Sequence, residues 1–265
     1  MSQLLLETSF NLLKEDSGLI LLDDSLHPYL TRYGGLYVGS VATQTQSITI
    51  DGPNSTLVVG LQAYDPTTAA NTIISSIKFN GVSLTQLQAA LYSAGVSQFA
   101  NSSYYMFAIT GLSPQTANLV TTWIGTCSSP QVAWAVFANS APAIDNSAIS
   151  TNLAATVFTG SVNTKANNCL VWSFIDFNNN NNGAASGADQ LQTYVSGGYD
   201  VGSASKTPQT PPGSVTHTYS NSTPDDYIMA VVSIAPILPV GKDISNLNNS
   251  FGMNMAQAIN RAGTY

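Results

Sequence analysis

The chain has 265 residues, of which 44% are hydrophobic and only 8% are charged, whereas an average soluble domain carries about 25% charged residues. This composition argues against a disordered chain, because disordered segments combine low hydrophobicity with high net charge. The net charge of -7 and the seven singly scattered bases argue against nucleic-acid binding, which needs clustered Lys and Arg. The length allows one large β domain or two small ones.

We expect no secretory signal peptide at the N-terminus. MSQLLLETSF has no basic region, and Glu7 stands where the apolar part of a signal peptide would continue. No stretch of the sequence approaches the roughly 18 consecutive apolar residues that a membrane-spanning helix needs. We therefore expect no membrane insertion.

Residues 1–28 contain a repeat of eight residues, LLLETSFN, LLKEDSGL and ILLDDSLH, which begins at Leu4. An even period keeps equivalent side chains on one face of a β-strand, whereas helical geometry leaves them out of phase. The repeat predicts short strands with acidic turns, either as a small meander or as an extended arm that pairs with another chain. Its acidic column, Glu7, Glu15 and Asp23, suggests a calcium site, although a solvated turn is the more common role of such residues.

From residue 36 to residue 234 the chain is a series of short segments rich in β-branched and aromatic residues, separated by Gly, Pro, Asn and Ser clusters. This pattern predicts an all-β fold, an antiparallel β-sandwich of jelly-roll or immunoglobulin-like type. We expect an N-terminal octad-repeat arm at 1–28, a β-sandwich body at 29–236 and a C-terminal arm at 237–265. The predicted strands are 36–41, 46–50, 56–64, 73–79, 82–87, 103–109, 118–124, 131–138, 169–176 and 226–234.

The strongest local prediction is a hairpin at IISSIKFNGVSLTQL, where the Asn-Gly pair at 80–81 supplies the positive φ angles of a type I′ turn. This turn places Phe79 opposite Val82 and Ile77 opposite Leu84 on one face, which we interpret as core.

Other predicted strands are apolar on both faces. YIMAVVSI at 227–234 is the clearest case, as expected of a central strand that is covered on both sides. Trp123, Trp134 and Trp172 each lie in a predicted strand, and we interpret them as core packing rather than a sugar-binding platform.

Two cysteines, Cys127 and Cys169, lie in different predicted strands, so neither a CxxC redox pair nor a zinc knuckle is available. Two buried thiols are the favoured interpretation. A disulfide between them is the alternative, which depends on geometry.

Two polar segments, NNNNNGAASGAD at 178–189 and SASKTPQTPPGSVTH at 203–217, have the composition of long surface loops. With nearby Tyr194 and Tyr199 they offer groups that could bind a glycan. Beyond PILPV at 236–240, which ends the last predicted strand, apolar residues recur every four positions and suggest a helical arm that docks elsewhere, on a neighbouring subunit for example: Leu247, Phe251, Met255 and Ile259.

The sequence offers no catalytic, cofactor-binding or metal-binding residues that we can assign, and we predict that the protein is not an enzyme. His27 follows the octads and His217 lies in a polar segment, neither with an evident nucleophile partner, and the GxSxG and phosphate-binding glycine motifs are absent. A glycosidase needs two carboxylates beside the scissile bond. Asp225 and Asp226 follow Pro224, and we interpret them as a turn and strand cap.

Two segments, LLLETSFNLLKEDSGLILLDD at 4–24 and ISSIKFNGVSLTQL at 74–87, resemble parts of tailed-bacteriophage virion structural proteins. Proteins of that group, of the capsid-decoration, head-fibre and tail-fibre types, combine Leu-Leu-Leu-Glu-like N-terminal repeats with jelly-roll or immunoglobulin-like sandwiches. The resemblance implies a virion location after assembly in the host cytoplasm, with other virion proteins and copies of itself as partners. It brings no catalytic residue, and it does not choose between capsid and tail.

The leading hypothesis is therefore a non-enzymatic virion structural protein, a β-sandwich displayed on a phage capsid or tail and anchored by its terminal arms. The alternative is a lectin-like adhesion module that binds host-surface glycans. A third possibility, a polysaccharide hydrolase, would need two Asp carboxyl groups in a cleft.

Overall fold

The structure is a computed structural model of the chain, and it describes residues 5–6, 12–13, 27–91, 101–178, 183–196 and 200–237. In the octad segment, two short strands, β1 (Leu5–Leu6) and β2 (Leu12–Leu13), pair antiparallel with Leu5 opposite Leu13. The acidic column Glu7, Glu15 and Asp23 and the C-terminal apolar stripe lie outside the described residues.

The described part of the body consists of antiparallel strands, with one short 3₁₀ turn at Ala69–Thr72. The predicted all-β antiparallel sandwich is confirmed. In chain order the strands are β3 (Tyr29–Tyr37), β4 (Val41–Ile50), β5 (Ser55–Tyr64), β6 (Ile74–Phe79), β7 (Val82–Ser83), β8 (Thr85–Leu91), β9 (Ser102–Leu112), β10 (Gln115–Cys127), β11 (Ser129–Ala138), β12 (Asn146–Asn163), β13 (Leu170–Phe177), β14 (Ala184–Ala185), β15 (Gln190–Ser196), β16 (Asp200–Ser205) and β17 (Ser214–Ile234).

These strands form three stacked sheets. The four-stranded sheet has the order β4-β10-β6-β7, the five-stranded sheet β3-β11-β5-β9-β8, and the six-stranded sheet β12-β17-β13-β16-β15, with β14 attached to β17. One apolar cluster, which includes Ile48, Leu61 and Trp123, fills the space between the four-stranded and five-stranded sheets. A second, which includes Met106, Trp172 and Val232, fills the space between the five-stranded and six-stranded sheets.

The five-stranded sheet is the middle layer, which explains why its central strands are apolar on both faces. In β5, the side chains of Leu57, Val59 and Leu61 enter the first cluster, and Val58 enters the second. Strand β5 is buried from its first residue to Ala63. The sequence of a strand that is covered on both faces is therefore a continuous run of apolar residues rather than an alternation of apolar and polar residues.

A long ribbon formed by β12 and β17 folds back over the outer face of the six-stranded sheet. Its first part pairs residues 146–152 with 227–233, and after a register shift its second part pairs 157–163 with 214–220. Beyond the bend, Phe158 and Tyr219 pack against Ile175 and Met229 in a third apolar cluster. The six-stranded sheet is thus covered on both faces as well.

The Asn80-Gly81 hairpin is confirmed. Both turn residues have positive φ, 49° and 78°, Phe79 pairs with Val82, and the Leu84 amide donates to the Ile77 carbonyl at 3.1 Å. The core face is narrower than predicted, because Val82 in the edge strand β7 is 57% exposed.

Two sequence-based interpretations in the second half of the chain are wrong. The segment 203–217 is not one long surface loop: residues 200–205 form the buried strand β16, and β17 begins at Ser214. Asp225 and Asp226 do not cap a strand, since they lie inside the 21-residue strand β17 and are 3% and 7% exposed. The strand ends at Ile234, just before the predicted break at Pro236.

Candidate functional site

A pair of buried carboxyl groups lies between the five-stranded and six-stranded sheets. Asp176 in β13 and Asp200 in β16 are direct partners in the antiparallel register, a position that places two side chains on the same face within a few ångströms. They are 3% and 0% exposed. Asp176 lies on the same face of β13 as Phe174, and Asp200 lies on the same face of β16 as Gly202. Because Phe174 belongs to the cluster between the five-stranded and six-stranded sheets, both acids point toward the five-stranded sheet rather than toward the ribbon.

Two glutamines of the five-stranded sheet lie on the face of that sheet that is turned toward the acid pair. Gln62 in β5 and Gln131 in β11 are register partners, and each is more than nine-tenths buried. The Gln131 side chain interacts with Asp200. Neither carboxylate oxygen of Asp200 has a hydrogen-bond partner of acceptable geometry, and the Oε1 atoms of Gln62 and Gln131 are also buried without a partner.

This buried environment shifts the pKa of both carboxyl groups. Burial raises the pKa of Asp176 well above its usual range, and the neighbouring Asp200 and Asp225 raise it further. Burial likewise raises the pKa of Asp200, which the Gln131 amide opposes. Burial also raises the pKa of the adjacent Tyr194 to about 12. Asp176, Asp200 and Tyr194 therefore lie close together in a region where a negative charge is poorly solvated.

A second buried polar group, which we call the hydroxyl network, lies on the outer face of the six-stranded sheet beneath the ribbon. Ser173 Oγ lies 2.6 Å from His217 Nδ1 and 2.6 Å from the Tyr219 hydroxyl. Ser205 Oγ lies 3.0 Å from His217 Nε2, and Ser203 Oγ lies 2.8 Å from the Tyr219 hydroxyl. The Gln190 amide donates to Ser203 at 2.8 Å and closes the network.

This arrangement corrects the sequence-based view of His217, which is neither in a polar loop nor without a hydroxyl partner. It is 1% exposed in β17, and burial lowers its pKa to about 4. A neutral imidazole next to a serine is one requirement for nucleophilic catalysis. Ser173 is fully buried, however, so the contact provides internal hydrogen bonding and offers no surface to a substrate.

The remaining candidate residues have structural roles. Cys127 and Cys169 are free and buried, Cys127 in the first apolar cluster and Cys169 beside Ser233 and Asp145, which confirms two buried thiols. Burial raises the pKa of Cys127 to about 11. Trp123 and Trp172 are buried in the core as predicted, and Trp134 is half-buried against the first cluster. Among the residues that the structure describes, no three His, Cys, Asp or Glu side chains converge as a metal site.

The strands at the sheet edges form the most distinctive exposed surface. On one side of the molecule β3 and β15 lie side by side, with the Tyr194 ring packed over Gly35. The exposed side chains there are mostly aromatic or aliphatic. They are Tyr33, Tyr37, Leu191 and Val195, each between 41% and 53% exposed.

The outer face of the four-stranded sheet is polar instead. Thr43, Thr45, Ser47 and Thr49 of β4 pair with alternate residues of β10, and Thr49 Oγ1 lies 2.9 Å from Thr116 Oγ1. A shallow depression of about 420 Å³ lies on this face, next to the hairpin turn. It is lined by Ser47, Asn80, Gly81, Thr116, Ala117, Asn118 and Val120.

Comparisons with known proteins add little to these observations. No protein-family model and no curated protein sequence matches the chain. Among solved structures, the chain is weakly similar to the major capsid protein P2 from bacteriophage PM2, with a TM-score of 0.24 and 8% identity over 78% of this chain and 99% of that chain. A similarity of this size carries no argument about function.

No helix in the described ranges is long and apolar enough to cross a membrane.

Proposed function

We propose that the chain is a non-enzymatic structural protein of a virion, a layered β-sandwich that assembles with copies of itself and with other virion proteins. In this proposal the body is displayed on a phage capsid or tail. The segments 1–28 and 237–265 act as anchoring arms, and assembly takes place in the host cytoplasm.

The observation that carries the proposal is the near absence of charge on the edge strands. Strands β3, β4, β8, β12 and β15 carry a single charged side chain, Arg32, and it forms an ion pair with Asp51. Soluble monomers usually protect such edges with Lys, Pro or bulges, because an open edge can pair with another chain. Each of these edge pairings contains a register shift of the kind that a bulge produces, so protection by charge is what these edges lack. Edges with almost no charge favour a protein whose edges are covered by neighbours.

The neighbouring edges β3 and β15 give this proposal a definite contact surface. Four large side chains are exposed on these two edge strands, and exposed apolar side chains that cluster at one edge of a soluble protein commonly mark interaction sites. Tyrosine is also enriched at protein interfaces, because its ring buries a large area while its hydroxyl keeps a polar contact. We infer that this surface packs against another subunit.

The experiment measures self-association of the full chain by analytical ultracentrifugation and electron microscopy. V195K places a charge on the exposed face of β15, and S113K places the same charge in the exposed turn that joins β9 to β10. Burying an unpaired charge in an interface is costly, so V195K should weaken association by about tenfold or more, while S113K leaves it unchanged. A monomeric wild type, or equal behaviour of the two variants, contradicts the proposal.

A second candidate function, glycan binding, is favoured by the depression on the four-stranded sheet. Its lining supplies hydroxyl and amide groups, which are the hydrogen-bonding partners that sugars use. The sequence predicts glycan binding in the loops near Tyr194 and Tyr199 instead. Tyr194 instead lies in β15, with its ring against Gly35, and Tyr199 lies outside the described residues.

A glycan array with the full chain tests this candidate. N118A removes an exposed amide from the depression, and S113A is a matched control outside it. Saturable binding that N118A abolishes and S113A preserves supports a glycan site on this sheet. No saturable binding, or equal binding by both variants, rejects the site.

A further inference from the structure

The four buried residues between the two larger sheets have the composition of a cation site. Asp176 and Asp200 come from neighbouring strands of the six-stranded sheet, and Gln62 and Gln131 come from neighbouring strands of the five-stranded sheet. Each pair is in direct register, so each sheet presents two oxygen-bearing side chains toward the other. All available ligand atoms are carboxylate or amide oxygens.

The polar atoms at this place are not satisfied by the protein itself. Both carboxylate oxygens of Asp200 and the Oε1 atoms of Gln62 and Gln131 are buried without a hydrogen bond of good geometry, and the polar neighbour that influences Asp200 is the Gln131 side chain. More than nine in ten buried polar groups in folded proteins do have a partner, because an unsatisfied group loses its hydration without compensation. Four such atoms on three adjacent residues therefore require an explanation.

The protein also supplies no compensating charge. In the described part of the chain, neither Asp176 nor Asp200 forms an ion pair with Lys or Arg. The salt bridge found among the described residues joins Arg32 to Asp51 on the surface, away from this site. The nearest additional ionisable groups, Asp225 and the two tyrosines Tyr104 and Tyr194, are acids. The Tyr104 hydroxyl already donates to the Phe174 carbonyl and accepts from the Ala230 amide.

We propose that Asp176, Asp200, Gln62 and Gln131 bind one hard divalent cation, with calcium as the ion that this ligand set fits best. Calcium takes six to eight oxygen ligands in a flexible geometry, and it accepts carboxylate, amide and water oxygens together. Magnesium demands a stricter octahedron and retains several waters. Two carboxylates also match the charge of one divalent ion.

The position of the site indicates what the ion does. Gln131 is the third residue of β11, Gln62 is two residues from the end of β5, Asp200 begins β16, and Asp176 is next to last in β13. The site therefore lies near the ends of its four strands rather than at their centres. A cation held by two residues from each sheet would crosslink the middle and outer layers.

The test is a calcium titration of the full chain after removal of metals with EDTA, followed by calorimetry and thermal unfolding. One calcium ion per chain should bind at this site, and Tm should rise by about 5 °C or more at a calcium concentration of ~100 times Kd. D200N removes one ligand charge with little change of shape. D189N changes an exposed Asp in the segment before β15 and is the matched control.

D200N should lose the calcium-dependent rise in Tm, and D189N should keep it. In EDTA, D200N should melt at or above the wild-type temperature, because it replaces a buried uncompensated carboxylate by a neutral amide. That measurement shows that the variant folds. A wild type whose Tm does not respond to calcium, or a D200N variant with the full calcium response, overturns the proposal.

A second variant keeps the test decisive if D200N is poorly produced. Q131E adds a third carboxylate to the site, so it should bind calcium at least about tenfold more tightly than the wild type, since affinity in oxygen sites follows the charge of the ligands. In EDTA it should be destabilised by the extra charge. Unchanged calcium affinity in Q131E contradicts the assignment of these ligands.

Discussion

Single residues in this protein are stabilised by local polar contacts far more than by ion pairs, and His217 is the clearest example. Its two ring nitrogens lie 2.6 Å from Ser173 Oγ and 3.0 Å from Ser205 Oγ. Because a buried imidazole avoids charge, its pKa is lowered to about 4. The stability of the folded state therefore depends on pH through His217.

H217Q should remove a loss of stability that the wild type shows in acid. Between about pH 6.5 and pH 4 the unfolded chain binds a proton at His217 that the folded chain does not, so the free energy of unfolding falls as pH falls. The loss amounts to about 3 kcal/mol for a shift of this size. Urea unfolding of wild type and variant across this range measures the difference.

The difference between the two proteins is the informative quantity, because other groups with shifted pKa values also make the stability depend on pH. Asp176 and Asp200 have raised pKa values, and they stabilise the folded state as pH falls. Tyr219 has its pKa raised to about 12 and remains neutral throughout. Parallel pH profiles for the wild type and H217Q would contradict the role of His217.

Asp65 shows the opposite behaviour, because it is a carboxylate with many donors. Oδ1 accepts from the Thr67 amide, the Thr67 hydroxyl and the Thr68 amide at 2.7–3.0 Å, and Oδ2 accepts from Asn71 and Ser128. These hydrogen bonds hold the pKa of Asp65 well below its usual range. The stability they provide is present above about pH 4 and is lost as pH falls.

D65A should lower the free energy of unfolding at pH 7 by about 2–3 kcal/mol, as expected when hydrogen bonds to a charged group are lost. D189A is the control, since Asp189 is exposed and accepts one side-chain hydrogen bond, from Thr207. Equilibrium unfolding in urea measures both. Equal effects of the two substitutions would show that the contacts of Asp65 contribute nothing particular.

At the scale of elements, the stacking of sheets depends on places where a strand carries no side chain. Gly60 in β5 faces the Phe174 ring, and a Cβ at Gly60 would lie 2.4 Å from two of its ring carbons. The strand and the ring therefore touch at van der Waals distance. Gly39 is a suitable comparison, because a Cβ there meets no atom within 4 Å.

G60A should lower the free energy of unfolding by about 1–3 kcal/mol, the usual cost of forcing extra atoms into a packed core. G39A should change it little, or raise it by a few tenths of a kcal/mol by restricting the unfolded chain. Thermal unfolding of the two variants gives the comparison. If G60A is as stable as G39A, the two sheets are not in close contact at this position.

Elements whose structure is determined by a few consecutive residues could be predicted from the sequence. Elements whose burial depends on a neighbouring sheet could not. The hairpin at 80–81 was predictable because two residues determine its turn. Strand β16 was missed because Gly202, Ser203, Ala204 and Ser205 are small and polar enough to resemble a loop. They are buried because the ribbon and the middle sheet cover both of their faces, a fact that no short window contains.

Strand β17 was predicted only in its second half, since Pro224, Asp225 and Asp226 interrupt its apolar pattern. Its first half does alternate, with His217 and Tyr219 inward, but a histidine in the apolar position conceals the period. The buried acid pair was missed for the same reason, because pairing Asp176 with Asp200 requires β16. A glutamine inside an otherwise apolar strand, as at Gln62, was the available signal.

For the molecule as a whole, low charge and three-layer stacking belong together. A strand buried on both faces has few positions for charged residues, and the two larger sheets contain several such strands, of which β13 carries one acid, Asp176. The outer surfaces use hydroxyl and amide groups instead, as on β4. Edges that carry almost no charge then remain as the surfaces available for assembly, while the terminal segments are available as anchors.

A truncated chain comprising residues 27–237 should fold without the terminal segments, because all three apolar clusters lie within it. We expect one cooperative unfolding transition with a Tm close to that of the full chain, measured by circular dichroism. Incorporation into assemblies, followed by electron microscopy, should be lost, because the anchoring arms are absent. Chains that lack only 1–26 or only 238–265 assign the anchoring to one end. A truncated body that assembles like the full chain rejects the anchoring role, and one that fails to fold shows that the terminal segments belong to the core.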